Sequence, residues 1–228
     1  MYKLTTLSTA LCLGTTLLSH PVLAADGELA VKITPELSQL SVKHEGETVV
    51  IMRNQDKDHV IDPLYAKTSR SCPPFCVTPA KIHDGVDTVG ELEVLDYLKK
   101  ISEGDNSILV IDSRTPEWLA RGTIPGSVSI PWIKISPRDE SPFESGETAA
   151  RDKILTEQFG VQKTAEGAWD FSHAKTLVLF CNGLWCPQSS TNIHTLVDLG
   201  YPPAKLKWYR GGVQDWEMLG LTTATVKR

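Results

Sequence analysis

Four of the chain's five cysteines stand in two close pairs, Cys72 with Cys76 and Cys181 with Cys186. A cysteine does chemistry as its thiolate, so the question at each is what would favour ionisation. Cys181 follows the apolar run Thr176-Leu177-Val178-Leu179-Phe180 and opens the segment Cys181-Asn182-Gly183-Leu184-Trp185-Cys186; a helix-patterned stretch starts at Pro187. In open α/β sheets, ligands sit beyond the carboxyl ends of the strands. A loop wrapped there aims backbone N–H groups inward as an anion nest, and the next helix adds its unsatisfied N–H groups and positive dipole end. That setting predicts a stabilised thiolate on Cys181, with substrate contacted by Asn182, Gly183, Leu184 and Trp185. Cysteine is also a small hydrophobe common at buried strand ends, and spacing alone does not separate the two readings.

Cys186, across a tight loop, is placed to attack a persulfide or sulfenate on Cys181 and close a disulfide. The alternative is an unpaired loop thiol. Trp185 either covers the pocket or packs against the N-terminal region. The C-x4-C spacing is not that of thioredoxin-like redox motifs. Cys72-Pro73-Pro74-Phe75-Cys76 has three readings. A local disulfide is favoured by prolines that restrict the loop and by export. A four-thiolate zinc site has suitable ligands but would consume the nucleophile. A redox pair serving Cys181 requires the loop to fold over the sheet's carboxyl edge. The histidines, His194 included, fall in no metal-ligand or triad spacing.

The elements that position these residues read as two regions. Between residues 25 and 86, Leu40–His44 alternates, Glu45-Gly46-Glu47 is turn-like and Thr48–Met52 is strand-like, a β-hairpin pattern. Residues 62–80 hold four prolines and the first cysteine pair, a constrained loop. From residue 87 the chain alternates helix and strand patterns: helix over Glu91–Ile101, strand over Ile108–Ile111, a short helix over Glu117–Ala120, strand over Ser127–Ile130. A loop over 137–150 precedes a helix over Arg151–Phe159. Then come strand Thr176–Phe180, helix Pro187–Leu199, strand Leu206–Tyr209 and helix Val213–Leu219. Such alternation predicts an α/β fold with a parallel sheet flanked by helices, preceded by a small β-containing region.

Residues 1–24 read as an export signal: Lys3 at the start, an uncharged apolar stretch to Leu18, and Val22-Leu23-Ala24 at a cleavage site. This predicts a periplasmic or otherwise exported protein, cleaved near Ala24 and not membrane-embedded. The chain carries 23 Lys and Arg against 28 Asp and Glu, net −5, with no basic run, so nucleic acid is not an expected partner.

Asp112-Ser113-Arg114-Thr115-Pro116-Glu117, running on to Gly122-Thr123-Ile124-Pro125-Gly126-Ser127, resembles the D-V-R-x-x-E…G-H-I-P-G-A signature of the rhodanese sulfurtransferases. Gly211-Gly212-Val213-Gln214-Asp215-Trp216, with Gly220 beyond, is similar to that family's closing G-G-x-x-x-W…G segment. Cys181 falls between them, where the family carries its catalytic cysteine. The resemblance implies a rhodanese-like domain over 87–228, preceded by an accessory region over 25–86, and Cys181 as nucleophile.

Two departures matter. Family enzymes acting on thiosulfate carry a basic residue in this loop, often sixth, where this chain has Cys186. Arg114 or Arg210 would have to supply charge from elsewhere, and the related phosphatase loop would need an arginine that is missing. Thr123 also replaces the usual histidine. The expected activity is an exported sulfurtransferase or sulfur carrier, forming a persulfide on Cys181 from polysulfide, thiosulfate or a protein persulfide. A redox or sulfur-acceptor protein is the expected partner, with no metal and no organic cofactor. The alternatives are a thiol–disulfide oxidoreductase using Cys181 and Cys186, and a non-catalytic binding module.

Overall fold

Alternating hydrophobicity and a turn set the first strand pair of the computed structural model, which describes residues 29–136 and 145–225. The export-signal reading of 1–24 lies outside the described residues, as do 137–144 of the expected loop. Strands Gln39–His44 (β1) and Glu47–Met52 (β2) pair antiparallel, His44 opposite Glu47. Glu45 and Gly46 both have positive φ, 49° and 83°, the backbone that a two-residue hairpin turn needs to match strand twist.

Within the proline-rich stretch read as loop, Pro63–Ala66 makes one helical turn (α1), which sequence patterning missed because it is so short. Asp62 caps it, accepting from the Leu64 N–H at 2.7 Å. The edge strand Asp87–Val89 (β3) is likewise too brief to show periodicity. Helix Glu91–Ser102 (α2) buries Val94, Leu95 and Leu98, and the Glu93 carboxylate accepts from the Gly90 N–H at its start.

Strand Ile108–Asp112 (β4), helical turn Pro116–Leu119 (α3) and strand Val128–Ser129 (β5) follow. Helix Ser145–Glu157 (α4) begins before the expected Arg151, because Ala149 and Ala150 extend the helix-favouring run. A two-residue ribbon, Gln162–Lys163 (β6) with Trp169–Asp170 (β7), was not foreseen. The chain closes with strand Thr176–Phe180 (β8), helix Gln188–Asp198 (α5), strand Leu206–Tyr209 (β9) and helix Gly212–Met218 (α6).

The predicted α/β class holds. Five parallel strands run in the order β3-β9-β8-β4-β5. Both faces are apolar, as parallel sheets covered by helices require. Leu177 and Leu179 face one cluster with Ile193, Leu196 and Trp208; Val178 and Phe180 face the other with Leu95, Leu98 and Trp216. Val42, Ile51 and Tyr65 from the N-terminal region belong to that second cluster. Backbone bonds also tie the region down: Thr222 donates to the Met52 carbonyl at 3.0 Å and Asn54 to that of Gly220 at 2.6 Å. In register, Asp112 stands opposite Phe180, so Asp112 and Cys181 meet at one carboxyl edge of the sheet.

Candidate active site

Cys181 takes the position just beyond β8, and the loop it opens returns into α5. It is 2% exposed and Cys186 is 3% exposed. The two are joined as a disulfide with Cα atoms 6.1 Å apart, a separation the loop presents without spreading. The loop is tightened by the Cys186 N–H, which donates to the Gly183 carbonyl at 2.9 Å. That N–H is therefore spent inside the loop and is not part of an inward-facing nest.

Behind the loop, helix α6 approaches closely. The Val213 and Gln214 N–H groups donate to the carbonyls of Cys181 and Asn182 at 3.1 and 2.9 Å. This explains Gly212: its φ is +59°, and a Cβ there would run into the backbone of Cys181 and Asn182. At Gly183 a Cβ would instead meet the Gln214 side chain.

Arg114 and Asp112 also lie behind the loop, fully buried. Asp112 accepts from the Arg114 Nε at 2.9 Å and from Nη2 at 2.6 Å. The remaining guanidinium donors go to the Gly122 carbonyl at 2.6 Å, the Tyr65 hydroxyl at 2.9 Å and Asn182 Oδ1 at 3.5 Å. All five donors of the guanidinium fork are thus committed within the protein. Burial opposes the Arg114 charge, but the Asp112 carboxylate more than offsets it and leaves the guanidinium above its ordinary value. The structure places Arg114 as a buried brace for Asn182. Thr123, standing where the family has histidine, donates to Asp112 Oδ2 at 2.6 Å and completes this brace. Burial pushes the Tyr65 phenol up to about 12, so it remains a neutral hydroxyl near neutral pH.

In front, residues 62–80 cover the loop. The Thr78 N–H and hydroxyl both donate to the Leu184 carbonyl, at 2.9 and 2.7 Å. Phe75 meets Trp185 edge-on with centroids 5.6 Å apart, and the Arg70 guanidinium lies 3.7 Å from the Trp185 ring centroid. Trp185 Nε1 donates to Gln214 Oε1, while Gln214 Nε2 donates to the Tyr65 carbonyl, so one glutamine fastens loop to accessory segment. Of the two readings of Trp185, packing against the N-terminal region is the one the structure shows. Arg210 donates to the Thr78 carbonyl at 2.6 Å and steadies the cover from the sheet side.

The Cys72–Cys76 pair closes on itself as a disulfide within this cover, Cα atoms 4.6 Å apart. Among the described residues, no group of three or more His, Cys, Asp or Glu could hold a metal ion. Sequence reasoning missed Tyr65, Arg70, Phe75 and Thr78, although two aromatics in a proline-rich loop were a usable signal. It also missed Gln188, whose Oε1 lies 3.3 Å from Cys181 Sγ and 3.7 Å from Cys186 Sγ. An amide turned over at that position would present N–H donors to a Cys181 thiolate. A cavity of about 770 Å³ lies elsewhere, lined by Arg53, His59, Asp62, Arg121 and Glu217 among others, with no residue of the Cys181 loop in its wall.

No curated protein matches the chain. Among solved structures it is similar to a protein of unknown function and possible tyrosine phosphatase from Rhodopseudomonas palustris (20% identity over 63% of this chain and 88% of that one, TM-score 0.38). A rhodanese-like domain from Anabaena gives 14% identity over 63% and 81%, TM-score 0.37. A 3-mercaptopyruvate sulfotransferase of Escherichia coli gives 20% identity over 54% and 39%, TM-score 0.34. A family model for the rhodanese-like domain matches residues 94–219, a span that contains both carboxyl-edge residues, the whole cysteine loop and α6. More than half of the sequence is matched, and the chain belongs to the rhodanese-like domain family.

Proposed function

We propose that the protein is a sulfurtransferase or sulfur carrier in which Cys181 takes up sulfane sulfur and Cys186 resolves it. The observation that carries this reading is the placement of Cys181 between a buried parallel strand and a helix N-terminus, with Cys186 in disulfide reach. As a thiolate, Cys181 attacks the terminal sulfur of a donor and becomes a persulfide, and the donor's remaining fragment leaves with the electron pair. An acceptor nucleophile then removes the outer sulfur and regenerates the thiolate, giving ping-pong kinetics. Where no acceptor arrives, the Cys186 thiolate attacks the inner Cys181 sulfur. Hydrosulfide leaves, and the Cys181–Cys186 disulfide remains.

Singly charged hydropolysulfide or a small neutral persulfide suits this loop better than thiosulfate. A dianion entering a partly dehydrated pocket needs a nearby cation; the Arg114 donors are all committed, Arg70 is held over the Trp185 ring and against the Leu64 carbonyl, and Arg210 is bonded to the Thr78 carbonyl. The observed disulfide equally favours a second reading, a thiol–disulfide oxidoreductase that cycles the same pair. We place either activity in an exported compartment, a reading supported by the composition of the N-terminal segment.

The test is sulfur transfer to cyanide by the reduced protein. Cys181→Ser abolishes it and leaves the circular dichroism melt nearly unchanged. Normal turnover by the serine variant would overturn the reading, and two-electron cycling without sulfur uptake would transfer the assignment to the oxidoreductase.

A further inference from the structure

We propose that Cys72 and Cys76 form a second redox centre, which takes electrons from an external protein dithiol and passes them to the Cys181–Cys186 disulfide. The inference rests on the reading of Cys181 as a nucleophile that must be a free thiol before it accepts sulfur.

Access is the first argument. Cys181 and Cys186 are nearly inaccessible, and Trp185 between them is itself covered by Phe75 and Arg70. A protein dithiol must bring its sulfur into line with the disulfide it attacks, and this cover stands in that path. Cys72, by contrast, is exposed and Cys76 is half-buried, so solvent accessibility falls stepwise from Cys72 to Cys76 to the inner pair.

Placement is the second. Phe75 and Trp185, the residues preceding Cys76 and Cys186, are in ring contact. Thr78, two residues after Cys76, is bonded twice to Leu184, two residues before Cys186. The outer disulfide is thus seated on the loop that holds the inner one. A purely structural staple accounts poorly for this arrangement. A bridge spanning four positions closes a very small loop and so constrains the unfolded chain least.

The chemistry balances in two exchanges. A thiolate of the external dithiol attacks Cys72 Sγ and Cys76 leaves as thiolate; the second external thiol then releases Cys72, and the dithiol departs as a disulfide. Next the Cys76 thiolate attacks Cys186 Sγ, and Cys181 leaves as thiolate. Cys72 attacks Cys76 Sγ, the outer disulfide is restored, and Cys186 is released. Two electrons and two protons have moved from the external dithiol to Cys181 and Cys186.

The experiment uses the full wild-type chain with reduced thioredoxin as the dithiol, quenched at intervals by alkylation and mapped by mass. The expected order is transient opening of Cys72–Cys76, followed by opening of Cys181–Cys186. In Cys72→Ser/Cys76→Ser the inner pair opens roughly tenfold more slowly or worse, since its only remaining route is direct attack on a covered sulfur. Should that variant not fold, Cys72→Ser/Cys181→Ser gives a separate readout: the relay predicts a Cys76–Cys186 link within the monomer on mild oxidation. Opening of the inner pair before the outer in wild type would overturn the proposal, as would an unlinked, folded trapping variant. Sulfur uptake is read separately, on wild type reduced by excess dithiothreitol and desalted, so failure of the relay leaves the assignment of Cys181 intact.

Discussion

The Cys181 loop has two dissimilar sides. Its back is a buried, fully bonded frame of Asp112, Arg114, Thr123 and the start of α6; its front is an accessory segment holding it through Phe75, Arg70 and Thr78. The back fixes geometry, with the Arg114 donors all committed within the protein. The front is partly exposed and rests on two ring contacts at Trp185 and on hydrogen bonds to the Leu184, Tyr65 and Thr78 carbonyls, contacts that open more readily than the buried frame. Scaffold and access have been assigned to different parts of the chain.

Breaking the back is expected to cost most. Asp112→Asn leaves a buried guanidinium without its counter-charge, a loss of about 3–5 kcal/mol. Denaturant titration checks this, and a loss under about 1 kcal/mol would show that the pair is not holding the frame. Tyr65→Phe removes one acceptor from Arg114 and is expected to cost about 1–3 kcal/mol. This residue sharpens the comparison, because it comes from the accessory region yet serves the back. A null effect would move it to the front.

Loosening the front reverses the balance. Phe75→Ala, at a residue 41% exposed, is expected to cost about 1 kcal/mol or less. Alkylation of reduced Cys181 should nonetheless accelerate several-fold. Unchanged alkylation with an unchanged melt would mean that Phe75 is not part of a cover.

The smallest effect lies where α6 meets the capping residue of α1. Burial, then the nearby Asp62 charge, raise the Glu217 carboxyl above its ordinary value. An acid with a raised folded pKa favours the fold most below its unfolded pKa and loses that contribution as pH rises through the folded value. Glu217→Gln should therefore raise the melting temperature slightly at pH 7, with the difference gone below about pH 4. An equal gain at both pH values would assign it to packing instead.

Sequence patterning located the parallel sheet because buried strands such as Ile108–Ile111 and Thr176–Phe180 are continuous β-branched and apolar runs. It located Cys181 because the strand–loop–helix order is local. Strand β3 escaped because three residues carry no period, and α1 because it is a single turn. The cover escaped for a different reason. Nothing in Pro63–Thr78 announces which surface it will lie on; its seat is decided by long-range partners such as Leu184 and Gln214. Arg114 was legible as a residue of the site, but its burial behind the loop was not, since orientation depends on Tyr65 and Gly122 closing around it.

The central claim is tested most directly by intact mass. Dithiol-reduced, desalted protein is exposed to polysulfide and mapped by peptide. The account predicts one added sulfur atom on Cys181 in wild type, and none in Cys181→Ser. A sulfur adduct on Cys186 alone, or equal labelling of the serine variant, would contradict it.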